Sequence, residues 1–141
     1  MTRLAYVTTC MGRLEHLKQS LPRAAGQPDV SCVVVDYSCP DRAGNWVEQH
    51  FPGVKVVRIE GETRFNASRA RNAGAAAAGD VEWLGFFDAD ILLDESFAKV
   101  VLPTLRRGSF YRSDAVTRQS WGSVICRRDD FIAAGRYDEA Y

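Results

Sequence analysis

Short apolar runs alternate with segments of helical period along the whole chain. Residues 4–9, LAYVTT, form a β-rich run that stops on polar residues. In RLEHLKQSL, Leu14, Leu17 and Leu21 recur at helical spacing, and Pro22 marks a kink or stop. CVVVD is a continuous apolar strand ending on Asp36, the kind buried on both faces in parallel sheets. The turn-rich YSCPDRAG leads to NWVEQHF, with Trp46 and Val47 on a helix face, and then to the strand VKVVRI. NASRARNAGAAAAG is a helix, with Asn66 or Ser68 to cap its start and Gly79 to end it. VEWLGFF is the fourth strand, and a helix over ESFAKVVLPTL follows Asp94. A weak strand near residues 109–112, a polar loop, the strand GSVIC and a short helix over RRDDFIAAG complete the pattern. Strand and helix in strict alternation predict an α/β fold, with a mostly parallel sheet flanked by helices. Ligands of such sheets bind beyond the carboxyl ends of the strands. That rule selects residues 8–13, 36–41, 58–64 and 88–90, all of them polar strand exits.

Length and charge narrow this picture. The 141 residues suffice for one domain with a real core. A formal net charge of zero argues against a nucleic-acid partner bound through bulk charge. No apolar stretch has the length of a transmembrane segment, and the N-terminus lacks a signal-peptide layout, so the chain reads as soluble and cytoplasmic. The cysteines Cys10, Cys32, Cys39 and Cys126 form no metal-ligand spacing with His16 or His50 and read as reduced thiols. A sharper alternative puts Cys10 against Cys39, since both follow strands that are candidate neighbours.

The chemistry concentrates in FFDADILLD. Residues two apart in extended chain share a face, so Asp88 and Asp90 converge if strand geometry persists that far. Two carboxylates so close repel unless a cation lies near them. Hard divalent ions prefer such oxygen ligands, completed by water and phosphates. Ala89 between them leaves room for close approach. An isolated acid pair more often caps a helix and meets solvent. Here FNASRARNAG supplies Arg64, Arg69 and Arg71 just upstream, and arginine matches phosphate geometry. Arg71 and Asn72 point in different directions on their helix, one toward ligand and the other bracing a loop.

The segments VTTCMGRLEHLKQSLP, VVVDYSCPD, ASRARNAGAAAAGD, LGFFDADILLD and WGSVICRRDDFIAAGRYDE resemble, in order, the blocks of GT-A nucleotide-sugar glycosyltransferases. The nearest group is family 2, including its galactosyltransferase-like members, and the resemblance covers nearly the whole chain as one GT-A domain, residues 1–141. It implies a UDP-sugar or other nucleotide-sugar donor, a sugar or other hydroxyl acceptor, and Mn²⁺ or Mg²⁺ as cofactor. By position it implies that Thr8, Thr9 and Arg13 contact the nucleotide and that Asp36 meets the base or ribose. It further implies that Arg69 and Arg71 lie near the diphosphate, that Asp88 and Ala89 face the donor, and that Asp88 and Asp90 serve the metal. Trp121 and Gly122 would shape the donor-sugar and acceptor side. The chain departs from the family in reading Gly135-Arg136-Tyr137-Asp138-Glu139 where many relatives read Gly-Gly-Tyr/Phe-Asp-Glu. It also stops at Tyr141, before the Gly-Trp-Gly-x-Glu-Asp element whose acid serves as catalytic base, which places the expected base beyond Tyr141. Two other readings stand beside glycosyl transfer: a nucleotide-binding module without catalysis, and a nucleotidyltransferase, although no glycine-rich loop follows the first strand.

Overall fold

The structure is a computed structural model and describes residues 2–112 and 123–140. Its sheet has six strands. They are β1 (Leu4–Cys10), β2 (Val30–Tyr37), β3 (Lys55–Ile59), β4 (Trp83–Phe86), β5 (Tyr111–Arg112) and β6 (Val124–Arg127), in the spatial order β3-β2-β1-β4-β6-β5. The four strands β1 to β4 are mutually parallel, whereas β6 runs antiparallel to both β4 and β5. The sequence rhythm does not announce that reversal, because periodicity reports burial and not strand direction.

Helices α1 (Leu14–Ala25) and α2 (Ala43–His50) cover one face of the sheet. There Leu17, Leu21 and Val47 pack on Tyr6, Cys10 and Val34. Helix α3 (Ala67–Ala77) covers the other face, where Ala75 and Ala78 meet Ala5, Val7, Val33 and Phe86. Pro22 lies inside α1 without ending it. The chain continues through α4 (Phe97–Val101) and a 3₁₀ turn, then β5 and β6, to α5 (Arg128–Ala133). Among the described residues, no helix is long and apolar enough to cross a membrane.

The alanine-rich composition of α3 has a packing cause. A Cβ added at Gly74 would sit 2.4 Å from Val7 Cγ1 and 3.0 Å from Val35 Cγ2, so the helix lies directly on β1 and β2. Larger residues would lift it from the sheet. Gly74→Ala is expected to destabilise by about 1–3 kcal/mol through overpacking, despite alanine's better helix propensity. Denaturant titration checks this, and a stabilised variant would refute the close-packing account.

The connections put the functional end where the sheet changes direction. From β1 the chain moves outward through β2 to β3, then crosses back to β4 on the other side of β1. The crevice between the carboxyl ends of β1 and β4 is therefore the topological switch point, the customary ligand site of open α/β sheets.

Candidate functional site

That crevice holds a cavity of about 310 Å³ lined by Thr9, Met11, Arg13, Phe65, Asp88, Ala89 and Asp90. Its acidic side forms at the exit of β4. The ladder persists one residue past the strand, with Phe87 N–H donating to Val7 O at 3.0 Å. The chain then turns at 89–90, closed by Ile91 N–H donating to Asp88 O at 3.1 Å. Strand geometry thus ends before Asp90. The two carboxylates reach the same cavity by flanking a turn, not by sharing a strand face. Ala89 is buried beneath them, while Asp90 is exposed.

Helix α3 supplies the counter-charge. Asn66 caps its start by accepting from Arg69 N–H at 2.9 Å. Arg71 donates to Asp88 Oδ1 at 3.1 Å, and its guanidinium lies over the Tyr137 ring, 5.5 Å from the centroid. Asn72 faces another way. Its amide donates to Tyr137 O and to Glu139 Oε2, both at 2.9 Å, and its oxygen accepts from Tyr137 N–H. Asn66 donates to Glu139 O as well. Arg71 and Asn72 do point in different directions, with Asn72 clamping the 137–139 segment beside the site. Burial pushes the Tyr137 phenol above its ordinary range, with Arg71 pulling the other way.

Several sequence-predicted residues fall elsewhere. Thr8 is fully buried on the α1 side of β1, while Thr9, on the opposite side, lines the cavity with Arg13. Alternation along a strand allows one of two consecutive threonines to face the crevice, not both. Arg69 is engaged in an ion pair with Glu62. Asp36 is buried, and its carboxylate is committed to backbone: Oδ1 accepts from Cys39 N–H at 3.0 Å and Oδ2 from Gly44 N–H at 2.9 Å. It holds the β2–α2 turn and the first turn of α2. A Cβ at Gly44 would sit 2.9 Å from Val56 Cγ1 and 3.0 Å from Asp36 Oδ2, so the position is crowded. Trp121 and Gly122 lie outside the described residues.

Two cavity residues carried no signal in the sequence. Phe65 is 46% exposed and packs edge-on against the buried Tyr37, with centroids 5.2 Å apart. Met11 sits between Cys10 and Gly12 in the loop leaving β1. Neither belongs to a periodic segment, so only the loop geometry brings them to the acids.

A second cavity, of about 380 Å³, opens beyond β2 and β3 and is lined by Asp36, Ser38, Cys39, Arg42, Asn45 and Arg58 among others. Arg58 is tied to Asn45 Oδ1 at 2.9 Å and to Glu48. Among the described residues, no three His, Cys, Asp or Glu side chains gather into a metal cluster. Two exposed or half-exposed carboxylates on one cavity fit a hard divalent ion whose remaining ligands come from water and phosphate, not an all-protein cage.

The sequence pattern of Glycosyl transferase family 2 matches residues 6–132. The chain belongs to this family. No curated protein matches the sequence. Among solved structures, the mannosyltransferase PcManGT from Pyrobaculum calidifontis, in complex with GDP-Man and Mn²⁺, superposes with a TM-score of 0.77 at 16% identity. That match covers 97% of this chain and 48% of the mannosyltransferase. S. aureus TarS in complex with UDP gives a TM-score of 0.76 at 15% identity, over 96% of this chain and 50% of that one. A 4-diphosphocytidyl-2C-methyl-D-erythritol synthase gives 0.62 at 19% identity, covering 99% and 83%. The family 2 chain thus spans about half the length of the glycosyltransferases it superposes on, and at these identities the likeness shows the fold.

Proposed function

We propose that this chain binds a nucleotide-sugar donor and serves transfer of its sugar to a hydroxyl acceptor. The observation that carries the reading is the cavity at the switch point, where Asp88 and Asp90 meet Thr9 and Arg13, with Arg71 on Asp88. Family 2 membership and neighbours solved in complex with GDP-Man, UDP or UDP-GlcNAc support it.

In this reading Asp88 and Asp90 would hold Mn²⁺ or Mg²⁺, which would supply positive charge facing the leaving nucleoside diphosphate. Arg71 shifts part of its hydrogen bonding from Asp88 to a phosphate oxygen. Arg13 approaches the diphosphate from the β1 side. Phe65 and Met11 give the cavity an apolar wall.

Calorimetry of UDP and GDP with and without Mn²⁺ tests the proposal. Affinity for one of them should rise with metal, and Asp90→Ala should remove most of the rise. Equal binding in every arm would sink it. Turnover of a nucleoside triphosphate with a sugar phosphate, in the absence of sugar transfer, would instead support nucleotidyl transfer.

A further inference from the structure

Cys10 ends β1 and Cys39 lies in the turn after the adjacent β2, with their Sγ atoms 4.0 Å apart. Neither has a role in the donor site described above. Cys10 is fully buried, and burial together with the neighbouring Cys39 pushes its thiol up to about 12. Cys39 differs. Though buried, it lines the second cavity, and its sulfur accepts Gly12 N–H at 3.4 Å. Both thiols are buried, Cys10 fully and Cys39 at 8% exposure on the wall of the second cavity, so Cys39 is the sulfur nearer to solvent and Cys10 stands behind it.

We propose that Cys10 and Cys39 form an oxidation site, closed to a disulfide by hydrogen peroxide, that reshapes the loop at the donor cavity. The Cys39 thiolate, its proton released to solvent, attacks the peroxide oxygen. The O–O bond breaks, leaving a sulfenic acid on Cys39 and hydroxide, which takes up a proton to become water. The Cys10 sulfur then attacks the Cys39 sulfur; the S–O bond breaks, and the departing hydroxide leaves as water with the Cys10 proton. Two thiols and one peroxide yield one disulfide and two waters.

The bond requires the sulfurs to close from 4.0 Å to about 2.05 Å. Both attached loops bear on binding. Gly12 lies between Met11 and Arg13, which line the first cavity, and Cys39 N–H is one of the two donors holding Asp36. Closure therefore pulls on the exit of β1 and on the turn after β2 together. The coupling to donor affinity rests on the proposed donor reading; the bond itself does not.

Peptide mass mapping of the full chain after hydrogen peroxide tests the bond. A Cys10 peptide linked to the Cys39 peptide, two hydrogens lighter than the pair, is expected, reversed by dithiothreitol. In Cys10→Ser, dimedone should label Cys39. Over-oxidation of Cys39 without linkage, or labelling of Cys10 in Cys39→Ser with none of Cys39 in Cys10→Ser, would overturn the assignment. UDP with Mn²⁺ should bind the linked form at least about fivefold more weakly, the lower end of ordinary coupling. Unchanged affinity in fully linked protein would refute the coupling. Failure of the reduced protein to bind UDP would instead strike the donor reading and leave the mass result standing.

Discussion

Asp36→Ala is expected to cost the free protein about 3–6 kcal/mol of stability, because two hydrogen bonds to a charged acceptor vanish at once, each worth about 1.5–3 kcal/mol. The carboxylate is buried, and its partners are the backbone N–H groups of Cys39 and Gly44. Removing it leaves both donors without their acceptor at the entrance to α2. Asp36→Asn should recover little, since the amide accepts through one oxygen and turns an N–H₂ toward the other donor. The melting temperature of each variant should fall by about 10 °C or more. Read from the sequence alone, Asp36 sits where it would meet the nucleotide, and its loss should weaken binding with stability intact. Differential scanning calorimetry paired with UDP titration separates the two. An unchanged melting temperature with weakened binding would restore the ligand role.

The backbone bonds of Asp36, which lines the second cavity, are what the sequence did not foretell. Strand β2 was legible because a continuous apolar run buried on both faces has few alternatives, and Asp36 was legible as the polar residue near its end. The direction of that residue's side chain was not. It is set by the turn that follows, where Ser38 and Arg42 adopt positive φ values of 44° and 52°. These non-glycine residues give no warning of such backbone. The turn folds back over the end of β2 and brings Cys39 and Gly44 N–H onto the carboxylate. Thr8 and Thr9 illustrate a gentler version of the same limit. The strand's alternation was readable, but its phase, which decides the threonine facing the crevice, depends on the packing of Tyr6 and Cys10 against α1 and α2. By contrast, Asp88 and Asp90 were legible as a pair even though the strand stops at Phe86. A turn and a strand both bring residues two apart into one neighbourhood, so the inference survived a wrong local geometry.

Arg71 offers a sharp separation of ligand chemistry from architecture. Its interactions in the free protein are an ion pair with Asp88, whose side chain is 43% exposed, and a place over the Tyr137 ring. A partly solvated pair contributes about 0–1 kcal/mol, and an exposed cation–π contact about 0.5–1 kcal/mol. Arg71→Met keeps much of the side-chain volume, so the melting temperature should move by only a few degrees. If the guanidinium engages a diphosphate, the same change removes a charge-assisted contact worth about 1.5–3 kcal/mol, which is roughly tenfold to over a hundredfold in affinity. UDP with Mn²⁺ should therefore bind Arg71→Met at least about tenfold more weakly. Uridine, which carries no phosphate, should bind wild type and variant alike. Arg71→Lys should fall between them, because an ammonium keeps the charge but loses the planar fork that spans two oxygens. The loss should also shrink as ionic strength rises, since the removed interaction is partly solvent-screened. Equal weakening for uridine and UDP would mean that Arg71 shapes the cavity without touching phosphate. A large drop in melting temperature would assign it to the fold, through its hold on Asp88 and the 137–139 segment.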